Sequence, residues 1–423
     1  MQLLDAFAVL VTLTALFAYL NARFFKLPPT IGVTLVGLIA SVLIFLLQGL
    51  GLNLVPVARD LLAHIDFNTF LMQGILSFLL FAGALGVDVD VLRKYRTPVL
   101  VLAVFSTLIS TFLIGGLTYL LLNVFGLSVP FLYTLLFGAL ISPTDPIAVL
   151  DLLKRAKVPP KLESIIAGES LFNDGVGVVV FSVIAALAFG GGHGAEHAFG
   201  GADILKLFLQ EAIGGLVFGG VIGYLAFLML RSIDSYIPEL LITVALVMGG
   251  YALARELHVS GPLAMVAAGL IIGQQGRRDA MSDVTRHHVD QFWEMIDQLL
   301  NAVLFVLIGL EILLLDLQGI SLPLMLATVP VVVLSRYLSV GFPVLLLKKR
   351  YTLSRYTTRI LTWGGLRGGI AIALALSIPP ADSERNLLLV LTYVVVVFSI
   401  LVQGLTVMPL IRKGQQAAMK VTP

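Results

Sequence analysis

The sequence predicts an all-α membrane protein of thirteen transmembrane helices, an inverted repeat of spans 1–6 and 8–13 with interrupted helices 5 and 12. Three observations predict it. The 423 residues are 58% hydrophobic and 12% charged, about half the charge of an ordinary soluble domain, and mean hydropathy is +1.01. Apolar runs of about 20 residues, long enough to cross a bilayer as helices, recur from end to end. Lysine and arginine collect in alternate loops, the asymmetry that sets topology in membranes.

Taken in order, the spans lie near Leu4–Tyr19, Ile31–Leu47, Phe70–Val87, Val99–Leu122, Phe131–Leu153, Leu162–Phe189 and Ile204–Leu230. They continue with Ile237–Ala254, Leu263–Gly273, Ile296–Leu315, Leu322–Leu347, Ile360–Ile378 and Leu387–Leu410. The ninth is short and could begin at Val259. The first lacks a positive segment before it, with Arg23 and Lys26 following instead, so it reads as a retained span rather than a signal peptide. Alternate loops hold 20 Lys and Arg, among them Arg93, Lys94, Arg277, Arg278, Arg286 and Arg412, against Arg59, Arg255, Arg385 and Lys206 on the other side. The rich side reads as cytoplasmic, which puts the N-terminus outside and the C-terminus in the cytoplasm, in a multi-pass cell-membrane protein.

Two spans are broken at their middles. The fifth contains Ser142-Pro143-Thr144-Asp145-Pro146 and the twelfth Gly364-Gly365-Leu366-Arg367-Gly368-Gly369. Proline removes an amide donor and clashes with the preceding turn, and glycine permits a break and a close approach of backbones. Freed backbone groups and charges are tolerated at membrane depth only where protein or a water-filled cavity receives them. The breaks are seven spans apart, an odd offset, so their halves face oppositely across the membrane. Inverted repeats with paired discontinuous helices are a plan of secondary transporters, with the site at the breaks.

Asp145 is the first residue to explain. Thr144 alone could serve as an N-cap, but an aspartate at mid-span costs at least about 2.5 kcal/mol, which points to a functional carboxylate beside unwound carbonyls, the oxygen set a hard cation takes. In the sixth span, Glu169, Ser170, Asn173 and Asp174 share one helical face. Ser and Asn commonly hydrogen-bond between membrane helices, but that packing role accounts poorly for two acids. Arg367 stays charged and needs a counter-charge within the protein. Glu169 and Asp174 both compete for it; the pairing Glu169–Arg367 leaves Asp145 and Asp174 free for exchange.

These motifs, with Gly168-Glu169-Ser170-Leu171-Phe172-Asn173-Asp174-Gly175, resemble the NhaP-type sodium/proton antiporters, monovalent cation:proton antiporters related to the eukaryotic NHE exchangers. The resemblance covers nearly the whole chain. It implies a secondary antiporter exchanging Na+ or Li+ for H+ by alternating access, with both ions competing for a buried aspartate. It implies Asp174 as the cation- and proton-binding carboxylate, Asp145, Thr144 and Ser170 as further Na+ ligands, Asn173 as the residue orienting the site, and Glu169–Arg367 as a structural ion pair. Asn-Asp, rather than the Asp-Asp of the electrogenic class, implies electroneutral exchange. It also implies a homodimer. Dimerisation helices would occupy 1–98 and 237–315, core helices 99–189 and 322–411, a linking helix 204–230, and a short cytoplasmic tail 412–423.

Several function classes fall away. There is no cysteine, hence no disulfide, Fe–S or thiol chemistry. A net charge of +2 without a basic, aromatic-interleaved patch argues against nucleic acid, and no ATP or cofactor motif is present, so neither an enzyme nor a pump is expected. A K+/H+ exchanger on the same scaffold is the nearest alternative. A channel would not need a binding cluster, and an intramembrane aspartyl protease would not need the flanking prolines and Asn173. Weaker signals remain. Glu311 could line a pathway, or snorkel or pair near the outer surface; Arg336 could line one or take an internal partner. His193 and His197 flank Glu196 in a glycine-rich loop, His287-His288 lie in a basic loop, and Gly215, Gly219 and Gly223 read as a small-residue packing face.

Overall fold

The computed structural model describes residues 3–51, 54–56, 74–87, 89–145, 149–150, 153, 160–189, 201–351 and 355–419. The histidine pair His193 and His197, Pro146 and the basic residues Lys154, Arg155 and Lys157 lie outside them. Among the described residues there is no β-strand, and nine helices are long and apolar enough to cross a membrane, with shorter apolar helices beside them.

The helices follow the apolar runs in order. They are α1 Leu3–Leu20, α2 Pro29–Gly49, α3 Leu76–Leu85, α4 Arg96–Val124, α5 Phe131–Ile141, α6 Pro160–Phe189 and α7 Gly201–Arg231. Then come α8 Tyr236–Glu256, α9 Gly261–Ile271, α10 Asp283–Glu311, α11 Leu322–Tyr351, α12 Arg355–Trp363, α13 Gly369–Leu376 and α14 Arg385–Lys413. The helix over the tenth span begins at Asp283 rather than Ile296, because Ser282 caps it through the Thr285 N–H (3.4 Å). Its first turns are polar, which a hydropathy ruler does not register.

Two groups of helices pack internally. In one, α4 lies along α5 and α11, α6 lies along α5, and α14 packs on α11, α12 and α13. In the other, α10 packs on α2 and α3, and α9 on α3, α7 and α8. Between the groups, α6 touches α9 and α7, and α13 touches α10. The glycine stripe of α7 is a packing face: a Cβ at Gly215, Gly219 or Gly223 would strike Ser260, Ala264 or Ala268 at the start and along the length of α9.

Candidate functional site

Both interruptions are present, and they cross each other. α5 ends at Ile141, and the chain runs non-helically through Ser142–Asp145. α12 ends at Trp363, and α13 begins at Gly369. Where the two linkers meet, the Asp145 N–H donates to the Leu366 carbonyl (2.7 Å), an isolated antiparallel bridge. Each freed helix end meets a charge from the opposite linker. Arg367 Nη1 donates to the carbonyls of Ser142 and Pro143 (2.8 Å to the latter) at the C-terminal end of α5, where unsatisfied carbonyls carry partial negative charge. The Asp145 carboxylate lies against Gly368, the residue preceding α13, so closely that any Cβ there would collide with its Oδ2. That is the positive end of a helix, and glycine is what admits the carboxylate.

α6 runs behind the first linker and brings its polar face onto it. Gly177 makes room for the ring of Pro143. Asn173 is bonded at both ends: its Oδ1 accepts the Thr144 N–H (3.2 Å), and its Nδ2 donates to Thr144 Oγ1 (2.8 Å) and Glu169 Oε1 (2.8 Å). The Ser170 hydroxyl donates to the Thr144 carbonyl. Asn173 and Ser170 thus replace, from α6, the helical bonds that Pro143 denies the linker. Asp174 is one residue further along this face, 6% exposed, and its Oδ1 has no hydrogen-bond partner among the described residues.

The structural ion pair differs from the sequence expectation. Glu169 does not pair with Arg367. Its partner is Arg336 of α11, whose Nη2 reaches Glu169 Oε1 at 2.9 Å and Oε2 at 3.1 Å, both residues being 2% exposed. Arg336 Nη1 also donates to Ser106 of α4 (3.3 Å). The physical reason is that Arg367 is claimed by the freed carbonyls of α5, whereas Arg336, fixed in an unbroken helix, bonds side chains alone among the described residues. An arginine within a hydrophobic span and an acid left over on α6 was the signal for this pair. Of the sequence-assigned residues, Thr144, Asp145, Glu169, Ser170, Asn173, Asp174 and Arg367 all lie at this crossing; Glu311 is buried at the far end of α10, without snorkelling, and His287 and His288 are exposed.

A cavity of about 1150 Å³ leads to the crossing. Its lining includes Glu163, Arg277, Asp290 and Glu294, together with Leu80, Trp293 and Asn301. Asp145, Asp174 and Gly368 line the same cavity, so both carboxylates border one space. Asp290 in this lining is paired with Arg277.

The chain as a whole can be placed among known proteins. The family described as "Sodium/hydrogen exchanger, transmembrane" matches residues 11–413. The chain is similar to the Na(+)/H(+) antiporter NhaP of Pseudomonas aeruginosa, with 51% identity over 416 residues and 97% of each chain covered. It is also similar to the Na(+)/H(+) antiporter NhaH of Halobacillus dabanensis, at 34% identity over 423 residues with 97% of each covered. In fold it is similar to the sodium proton antiporter MjNhaP1 of Methanocaldococcus jannaschii, with a TM-score of 0.76 over 98% of this chain and 99% of that one at 21% identity. With its crossed, interrupted helices and its match over nearly the full length, this chain belongs to the sodium/hydrogen exchanger family of transmembrane transporters.

Proposed function

We propose that this transporter exchanges Na+ (or Li+) for H+ across the cell membrane, one for one, with both ions competing for Asp174. The observation that carries the reading is the charge balance at the crossing. Two guanidiniums, Arg336 and Arg367, stand among three carboxylates, Glu169, Asp145 and Asp174. With all five ionised, the cluster carries one net negative charge. One Na+ or one proton neutralises it; both together would leave it positive. A site that is neutral with either ion and charged without one crosses a low-dielectric barrier only when loaded, which is what obligatory exchange requires.

Asp174 supplies the charge both ions seek. Thr144, Ser170 and Asp145 complete an oxygen-rich shell suited to a hard cation, and Asn173 orients it by holding Thr144 from two sides. Transport needs no cofactor: the two ion gradients drive it. Na+ is favoured over K+ because the relatives named above are sodium/proton antiporters. Alternating access would come from movement of a core, residues 99–189 and 322–411, against dimerisation helices in 1–98 and 237–315, joined by 204–230. The separate packing of the two helix groups supports that division. The collection of Lys and Arg in alternate loops supports a cytoplasmic C-terminus, with the protein a homodimer.

The test is Asp174→Asn in proteoliposomes loaded with a pH-sensitive dye. Sodium-driven proton movement should fall to the background of empty vesicles. Exchange at the parent rate would overturn the assignment. An imposed membrane potential should leave the parent rate unchanged; a steep voltage dependence would refute one-for-one exchange.

A further inference from the structure

Outside the acids, arginines and Asn173 there is a buried polar pair on α14. Ser399 and Gln403 lie at the two ends of a wide π turn, Ser399–Gln403, in which the Gly404 N–H reaches back to the Ser399 carbonyl. Such turns are rare in helices and recur at functional sites. The Ser399 hydroxyl donates to Gln403 Oε1 (2.7 Å) and accepts the backbone N–H of Arg367 (2.9 Å). That N–H and the carbonyl of Leu366 belong to one planar peptide. The Leu366 carbonyl in turn accepts the Asp145 N–H. A single rigid plane is therefore held on one edge by Ser399 and grips Asp145 on the other.

We propose that Ser399 and Gln403 are positioning residues for cation binding, acting through the Leu366–Arg367 peptide on Asp145. A serine hydroxyl rotates among staggered positions. Gln403 Oε1 accepts the hydroxyl's hydrogen bond and so turns an oxygen lone pair toward the Arg367 N–H. The peptide plane then fixes the backbone of Asp145, as Asn173 fixes that of Thr144. A hydroxyl present only to satisfy packing would need neither the fixed rotor nor the shared peptide. This inference rests on the reading of Asp145 as a cation ligand.

The experiment measures exchange in proteoliposomes for the full chain carrying Ser399→Ala, Ser399→Thr, Gln403→Met or Asp145→Asn. Losing one neutral hydrogen bond in the relay should raise the apparent KM for Na+ about fivefold in Ser399→Ala, with Vmax held within about twofold and the Na+/Li+ preference altered. Ser399→Thr keeps the hydroxyl and should restore KM; Gln403→Met should shift it in the same direction by less. Unchanged KM in both Ser399→Ala and Gln403→Met, or a fall in Vmax alone, would overturn the proposal. If Ser399→Ala does not fold, Gln403→Met decides by the same criterion. Normal KM in Asp145→Asn would remove the ligand reading itself, whereas a raised KM there beside a normal Ser399→Ala would remove only the relay.

Discussion

Replacing Arg336 by methionine should destabilise the protein severely, and the loss should be recovered largely by changing Glu169 with it. Arg336 Nη2 contacts both oxygens of Glu169 at 2.9 and 3.1 Å, and both residues are almost wholly buried. Breaking such a pair strands an ion in low dielectric, at a cost of about 3–5 kcal/mol. Removing both charges strands neither. The Arg336→Met/Glu169→Gln double variant should therefore regain about 2–3 kcal/mol of that loss, keeping a deficit from the Asn173 and Ser106 contacts. Arg367→Met should show a different pattern. It uncovers the Ser142 and Pro143 carbonyls, so Glu169→Gln should not rescue it. The assay is denaturant unfolding of purified protein for the two cycles. Coupling of Glu169 to Arg367 larger than its coupling to Arg336 would refute the pairing and the argument about freed carbonyls together.

Three further outcomes follow from the geometry. Gly368→Ala drives a Cβ into the Asp145 carboxylate and should raise the apparent KM for Na+ at least about tenfold; unchanged Na+ affinity in transport assays would argue that Asp145 is not a ligand. If Na+ and H+ share Asp174, lowering pH should raise the apparent KM for Na+ without lowering Vmax at saturating Na+, up to about tenfold per pH unit; a pH effect confined to Vmax would reject direct competition. Gly219→Leu should wedge α7 from α9, because its Cβ would already strike Ala264, and should cost about 1–3 kcal/mol or more of stability, read as lowered thermal stability with Na+ affinity intact in the surviving protein.

The spans and both breaks were legible because the bilayer imposes a crude, strong rule: backbone groups must be satisfied within the helix, so every departure stands out as proline, glycine or charge. The polar face of α6 was equally legible, since helical periodicity alone aligns Glu169, Ser170, Asn173 and Asp174. The partner of Glu169 was not. Two intramembrane arginines and several acids are present in the sequence, and only the path of the chain decides which meet. Arg367 sits where two linkers cross, within reach of the carbonyls that Pro143 leaves free, and no composition or spacing encodes that reach. The extension of α10 to Asp283 is hidden for a different reason: a hydropathy window measures solvent preference, whereas Ser282 starts this helix by hydrogen bonding. The Ser399–Gln403 pair carried no charge and so raised no signal, although it touches the same peptide as Asp145.

Arg336 is occupied by Glu169. Arg367, contributed by the second break, covers the C-terminal end of α5, and Asp145, contributed by the first, lies at the N-terminal end of α13. Each half-helix is thus closed by a charge from the other linker, and neither break would be stable if the two moved apart, since each would leave a helix dipole facing the membrane interior uncompensated. The crossing should therefore travel as a rigid unit with α6, which ties into it through Asn173 and Ser170. Within that unit Arg336 is matched by Glu169, and Arg367 and Asp145 by helix ends, whereas Asp174 lines the cavity with an Oδ1 that has no hydrogen-bond partner among the described residues. On the proposed reading its counterpart comes from outside the protein, as a cation or a proton, and a carboxylate left without a partner in a rigid unit is a simple physical device for exchanging one for the other.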